Sequence, residues 1–175
     1  MLKIEIPPMD LSLRIFRQWD KGWFALAAGD FSAGKFNAMT VSWGSLGIMW
    51  NRPFVQVVVR PTRFTHGFTE EYDNFTLCAF PETYRKALNI LGGTSGRDGD
   101  KIASAGLTPV ASRDVSSPAF AEAELVLECR KIYADTIDPD GFIDHSLEKH
   151  YSGDYHSVYF GQVLRIHGDA KYRTG

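Results

Sequence analysis

The sequence predicts a mainly β domain, either a closed or split β-barrel or, as the structural alternative, a β-sandwich. Short apolar runs rich in β-compatible residues recur along the chain, helical spacing shows in only two segments, and glycine or proline punctuates the gaps. Barrel closure suits such a set because it removes exposed strand edges without flanking helices. With 175 residues the chain is long enough for one substantial core and short for two, so residues 1–175 are read as a single domain.

The elements follow in order. Trp23 to Ala28 is a short apolar run, and Phe36 to Ser45, flanked by Gly34 and Gly47, is a second; both read as strands. Phe54 to Val59, with three valines, suits a strand buried on both faces or in a barrel wall, and Phe75 to Ala79 looks similar. After Pro81, Tyr84, Ala87, Leu88 and Leu91 recur at helical spacing, Pro81 fits the first turn, and Gly92-Gly93 supply a stop. A shorter helix is expected from near Asp98 to Gly106, with Asp98 or Asp100 accepting its first amides. Ala123, Leu125, Leu127 and Cys129 alternate with Glu122, Glu124, Glu128 and Arg130, which predicts a strand with one wet face. Ser157 to His167 is the last expected strand, and the long connection from Thr136 to Gly153 reads as a lid or an interface arm.

Composition narrows the function. Apolar content of 44% with a net charge of -2 describes a soluble globular protein, and the slight acidic balance argues against a general nucleic-acid binder, which needs a basic field. No apolar run approaches bilayer length, and the stretch from Met1 to Pro8 lacks the apolar core of a signal peptide, so no membrane role and a cytoplasmic location are expected. Cys78 and Cys129 lie in strand-like runs and are expected as buried free thiols. The five histidines show no zinc-ligand spacing, so no metal site is expected.

Three clusters carry chemistry. Arg60-Pro61-Thr62-Arg63-Phe64-Thr65 puts two guanidinium forks and two hydroxyls just after a strand, which reads as a phosphate grip or as an ordinary charged turn. Asn37-Ala38-Met39-Thr40-Val41-Ser42-Trp43 alternates small polar with larger residues, so a flat ring could approach the strand backbone with Trp43 and Trp50 against it; a packed core strand is the plainer reading. Ser95-Gly96-Arg97-Asp98-Gly99-Asp100-Lys101 sits at a helix entrance, where free amides and Lys101 attract an anion or where an aspartate simply caps the helix.

In this order and spacing, the Asn-Ala-Met-Thr-Val-Ser-Trp strand, the Trp-Asn-Arg-Pro run at residues 50–53, the Arg-x-x-Arg-x-Thr turn and the Ser-Gly-Arg-Asp-x-Asp-Lys segment resemble the flavin reductase-like FMN-binding split-barrel family, which includes the flavoredoxins. The likeness covers most of the chain, and it departs from the family at Gln162, where an acidic residue is common. It implies a six-stranded split antiparallel barrel with a few peripheral helices, a homodimer, and noncovalent FMN near the subunit interface. Carried over by position, Arg60, Thr62, Arg63 and Thr65 would hold the FMN phosphate, Lys101 would reach the phosphate or the flavin's polar edge, and Ser95 is a further cofactor-binding candidate. Asn37, Met39, Thr40 and Ser42 would lie along the ring and ribityl chain, and Trp43 would pack on the flavin. His156, His145 and Tyr172 are the late candidates. The resemblance further implies hydride transfer from NADH or NADPH to the flavin, with free flavin or a partner monooxygenase as acceptor. Its competitor is an FMN-carrying electron-transfer protein of flavoredoxin type without efficient nicotinamide turnover.

Overall fold

In the computed structural model, which describes residues 3–174, the strands form an antiparallel sheet that curls into a split barrel. Met1, Leu2 and Gly175, and with them the first residues of the leader segment considered above, lie outside the described residues. The strands are β1 (Ile4–Glu5), β2 (Phe24–Asp30), β3 (Lys35–Val41), β4 (Gly44–Met49), β5 (Arg52–Val59), β6 (Asn74–Ala79), β7 (Pro109–Val110), β8 (Ala119–Phe120), β9 (Leu125–Thr136) and β10 (Ser157–Gly168). The helices are α1 (Ile15–Arg17), which continues as a wider turn to Gly22, α2 (Phe64–Glu71), α3 (Arg85–Gly93) and α4 (Lys101–Ser104).

Strand order in the main sheet is β3-β2-β6-β9-β10-β5-β4, with β1 added along the far half of β10, and β7 pairs with β8 separately. The path holds seven strands where the sequence suggests six. The extra one arises because the expected strand Phe36 to Ser45 divides at Ser42-Trp43 into β3 and β4. Those two strands are the opposite edges of the path, so the residues between them turn the corner where the barrel is split. The β4–β5 hairpin closes on Trp50-Asn51, both at positive φ (50° and 57°), the signature of the tight turn that matches strand twist. Asparagine tolerates this conformation; a tryptophan there is strained.

Burial follows from alternation. On β2, Phe24, Leu26 and Ala28 point into the barrel core beside Met39, Val57, Phe75, Leu77 and Leu127. Ala25 and Ala27 point outward, and because they are small, α3 packs down on them through Leu88 and Leu91. Both faces of this part of the wall are therefore dry. The same holds for Leu125 to Cys129 of β9, which are all buried, so of the wet face expected there only Arg130 is exposed, Glu122 and Glu124 are half-buried, and Glu128 is buried. Val126 joins the outer cluster, and Glu128 lies under the preceding loop, where its carboxylate accepts the amides of Arg113 (3.1 Å) and Asp114 (2.7 Å). A charge in the sequence pattern was satisfied by backbone donors instead of water. Cys78 and Cys129 are buried and unpaired, and burial pushes the Cys78 thiol up to about 12.

The helices differ from expectation at their ends. α3 runs through Gly92-Gly93 and stops only at Thr94, whose backbone is extended. Asp100, not Asp98, caps α4, accepting the amides of Ile102 (3.0 Å) and Ala103 (2.9 Å). α2 was not foreseen: Phe64 and Thr65, the last two residues of the Arg60 to Thr65 turn, are its first. The segment is too polar to show a helical stripe, apart from Phe64 and Phe68 stacked edge to face one turn apart (5.4 Å). Among the described residues no helix is long and apolar enough to cross a membrane.

β10 bends at irregularities near Phe160-Gly161 and Val163-Arg165, which let it pair with β5 at one end and β1 at the other. At Gly161 a Cβ would stand 2.5 Å from the Phe75 ring and 2.9 Å from the Cys129 Cβ. Gly161→Ala should therefore destabilise the fold by about 1–3 kcal/mol through overpacking; urea unfolding with an unchanged midpoint would contradict that reading of the bend.

Candidate functional site

A cleft of about 410 Å³ opens between the barrel corner and α3, a size in the usual range for small-molecule sites. Its walls are Trp23, Met39, Thr40 and Ser42 from the β2–β3 side, Arg60 and Arg63 after β5, Leu88, Asn89, Gly92 and Gly93 from α3, and His156 before β10. The sequence order scatters these residues over 130 positions; the curled sheet and one helix gather them.

Of the residues singled out from the sequence, Met39, Thr40, Ser42, Arg60, Arg63 and His156 line this cleft. The Thr40 hydroxyl donates to the Leu88 carbonyl (2.5 Å), which ties the strand to α3. A Cβ at Gly92 would lie 3.3 Å from Thr40, so glycine lets helix and strand approach here. Asn37 and Thr65 lie behind the wall, both buried, with the Asn37 amide donating to the Thr65 hydroxyl (2.8 Å). That bond locks the first turn of α2 against β3. Gly96 packs on Asn37 and on Phe64, since a Cβ there would meet Phe64 at 2.5 Å and Asn37 Oδ1 at 2.8 Å. Ser95 accepts the Arg97 amide (3.2 Å), and Arg97 in turn donates to the carbonyl of exposed Thr62 (3.2 Å). Neither Ser95 nor Thr62 is on the cleft wall.

The electrostatics centre on the carboxyl end of α3. Arg63 donates to the Gly92 carbonyl (2.6 Å), and Lys101, buried just behind, donates to the carbonyls of Leu91 (3.0 Å) and Thr94 (3.4 Å). Both cations sit at the negative end of the helix dipole, which holds them in place. Neither has a carboxylate partner among the described residues. Burial first, and the Arg63 charge second, hold the Lys101 ammonium down to about 8; burial also lowers Arg63.

Arg60 is differently placed. Its guanidinium is paired with Asp154 (2.6 Å), donates to the His150 carbonyl (2.6 Å) and lies over the Tyr151 ring (5.1 Å). The expected lid segment thus reaches the cleft mouth through Arg60. Trp43 is half-exposed at that mouth, against the rings of His150 (5.8 Å) and His156 (5.3 Å). His156 is buried, shares a hydrogen bond with the Tyr151 hydroxyl (3.1 Å), and is held down to about 4 by burial and by Arg60, so it is neutral at pH 7.

Three other candidates lie elsewhere. Trp50 packs against Tyr133 and Phe160 at the far hairpin, away from the cleft. His145 is exposed and bonded to Glu148, and Tyr172 is buried beside Glu124. Trp23, Leu88, Asn89, Gly92 and Gly93 were missed as site residues: Gly92-Gly93 read as a helix stop and Trp23 as strand, whereas its backbone is left-handed (φ 63°). A glycine pair inside an otherwise good helix was the available signal. A larger cleft, about 660 Å³, lies on the other side of Leu88 and holds Tyr172 alone of the sequence candidates.

A family model described as a flavin reductase like domain matches residues 23–174. Similar solved structures include an FMN-binding domain of a flavin reductases-like enzyme from Shewanella baltica OS155 (TM-score 0.71, 16% identity, 97% of this chain and 78% of that one). Flavoredoxin of Desulfovibrio vulgaris (Miyazaki F) is similar at TM-score 0.67 and 22% identity, over 92% of this chain and 73% of that one. Nitrilotriacetate monooxygenase component B from Bacillus cereus is similar at TM-score 0.67 and 21% identity, over 93% and 74%. No curated protein matches the chain.

The depressed Lys101 titration has a measurable sign. Between about 8 and the ordinary 10.5 Lys101 is more protonated in the unfolded chain than in the folded one, so without ligand its own contribution to stability should grow as pH rises through that window, opposing the loss from the buried Cys78 thiol. The gain should be on the order of 2 kcal/mol. Urea unfolding of the native protein and of Lys101→Met from pH 8 to 10.5 checks it: the stability of the native protein relative to the variant should rise, and a constant difference refutes the assignment.

Proposed function

The chain belongs to the flavin reductase-like domain family, and from that premise we propose that it is an FMN-binding oxidoreductase that takes hydride from NADH or NADPH. The observation that carries the reading is the pair Arg63 and Lys101, two cations at a cleft with no carboxylate partner among the described residues. An FMN phosphate dianion would supply that charge. When bound, FMN contributes a ring that accepts hydride from a reduced nicotinamide and hands the electrons on.

The chain's own residues bind and orient. Arg63 faces the cleft and offers a guanidinium fork to the phosphate, while Lys101 acts from behind by its field and by fixing the Leu91 and Thr94 carbonyls. Asn37, Thr65 and Ser95 support the backbone from which Arg63 and Thr62 project. Met39, Thr40 and Ser42 form a floor of strand against which a flat ring can lie. Neutral His156 and the Trp43 ring close the mouth and limit water. No side-chain acid or base is assigned a proton-transfer role.

The acceptor is either free flavin or a partner monooxygenase, the second option drawing on the likeness to the monooxygenase component B. A homodimer is proposed as well, because edge strand β4 and its hairpin expose Ile48, Met49 and Trp50 together. Two buried free thiols suit a reducing cytoplasm.

Two outcomes are expected. Replacing Arg63 by alanine should weaken FMN binding by about 1.5–3 kcal/mol, the usual worth of a charge-assisted contact, as read by flavin fluorescence titration; unchanged affinity would remove Arg63 from the phosphate seat. Oxidation of NADH or NADPH by the FMN-loaded protein should exceed that of free FMN alone, and a rate equal to the flavin control would leave an electron carrier in place of a reductase.

A further inference from the structure

A third cleft, about 630 Å³, opens beside the Ser42-Trp43 corner and has a lining that the reading above does not use. The rings of Phe16, Trp19, Trp23 and Trp43 line it, together with Ile15 and Leu46. Phe16 is 91% exposed and Trp43 47%, which leaves two large rings open to solvent at one concave site. Gly44 shapes the wall: a Cβ there would stand 2.5 Å from the Trp19 ring, so glycine lets that ring lie against the start of β4. Charge is nearly absent. Among the described residues of the lining Asp20 alone is ionisable, and it is paired with Lys21 (2.9 Å).

This cleft adjoins the proposed flavin seat. Trp23 and Ser42 line both, and Ser42 belongs to the strand floor against which the flavin ring would lie. The shared Trp23 has a strained backbone (φ 63°, ψ 171°), a conformation that glycine alone adopts freely. Three contacts hold it there: the Gln18 amide donates to its carbonyl (2.7 Å), its indole N–H donates to the Asp20 carbonyl (3.1 Å), and the Arg85 guanidinium lies 4.0 Å over its ring. One aromatic wall is thereby fixed for two clefts.

We propose that this cleft seats a further electron acceptor, an uncharged, flat aromatic molecule of the quinone class. Aromatic side chains hold such a molecule by stacking and edge contacts, and Phe16 and Trp43 lose exposed apolar surface on binding it. A phosphate-bearing flavin finds no counter-charge among these side chains, so free FMN does not suit the cleft. The step is a two-electron transfer: the quinone gains a hydride equivalent from reduced flavin and one proton from solvent and leaves as the hydroquinone, while the flavin returns to its oxidised form. The inference rests on the flavin part of the reading above, since reduced FMN supplies the electrons.

Calorimetric titration of the oxidised, FMN-loaded protein with menadione and with an anionic naphthoquinone sulfonate tests it. Menadione should bind at least about tenfold more tightly than the sulfonate. Phe16→Ala should weaken menadione binding by about tenfold; Phe16 belongs to neither the flavin cleft nor the core, so the variant should fold. Ile143→Ala, which removes an equally exposed apolar side chain from the long connection, should leave the affinity unchanged. No binding, equal affinity for the two probes, or equal affinity in native protein and Phe16→Ala would overturn the proposal. Anaerobic reoxidation of the chemically reduced, FMN-loaded protein should saturate with menadione concentration, and a rate that stays linear far above the calorimetric Kd would overturn it as well. Flavin absorbance of the same samples reports FMN retention, so failure of the flavin reading shows separately from failure of the quinone seat.

Discussion

Two cations converge on the carbonyl end of α3, and much of the site is arranged around that fact. Arg63 and Lys101 are held by carbonyls of Leu91, Gly92 and Thr94, and the helix dipole favours them there. Carbonyls orient a charge but do not cancel it. Removing Lys101 from water disfavours its ammonium, which is why it titrates near 8, and the proximity of Arg63 adds to the strain. An anion in the cleft would relieve both.

The barrel makes this convergence possible. Alanines on the outer face of β2 let α3 lie close to the wall, and the Thr40 hydroxyl bonded to Leu88 fixes the helix along its length. The Asn37 to Thr65 bond fixes α2 from the other side, and α2 begins immediately after Arg63. The corner at Ser42-Trp43, where the sheet runs from one edge to the other, leaves a gap between strand and helix that no side chain fills. The position of the site is thus a consequence of where the barrel is split. Arg60 belongs to a different element of the design, since Asp154 and the His150 carbonyl already engage it and connect the long segment before β10 to the mouth.

Much of this was legible from residue pattern. The valines of β5, the apolar runs of β2 and β6 and the helical spacing of α3 each matched the element found, because side-chain period and local propensity agreed there. Cleft residues of β3 were legible as small polar positions within a strand, and Arg63 as a guanidinium after one. What escaped has physical causes. Glu128 read as a wet-face residue because sequence cannot show that backbone amides of the preceding loop would satisfy it. α2 escaped because its polar sequence has little helical stripe, and Thr65 read as a free hydroxyl although Asn37, 28 residues away, engages it. Trp50 was grouped with Trp43 by sequence proximity, yet the hairpin carries it to the opposite end of β4, against Tyr133 and Phe160.

On the proposed function, a phosphate dianion would complete the charge at the end of α3. Riboflavin has the ring and ribityl chain of FMN but no phosphate, so the two ligands isolate that term. Titrating the native protein with each, with flavin fluorescence as the readout, should show FMN bound at least about a hundredfold more tightly, as expected when two cations share one dianion. Equal affinities for FMN and riboflavin would mean that Arg63 and Lys101 serve only to cap the helix.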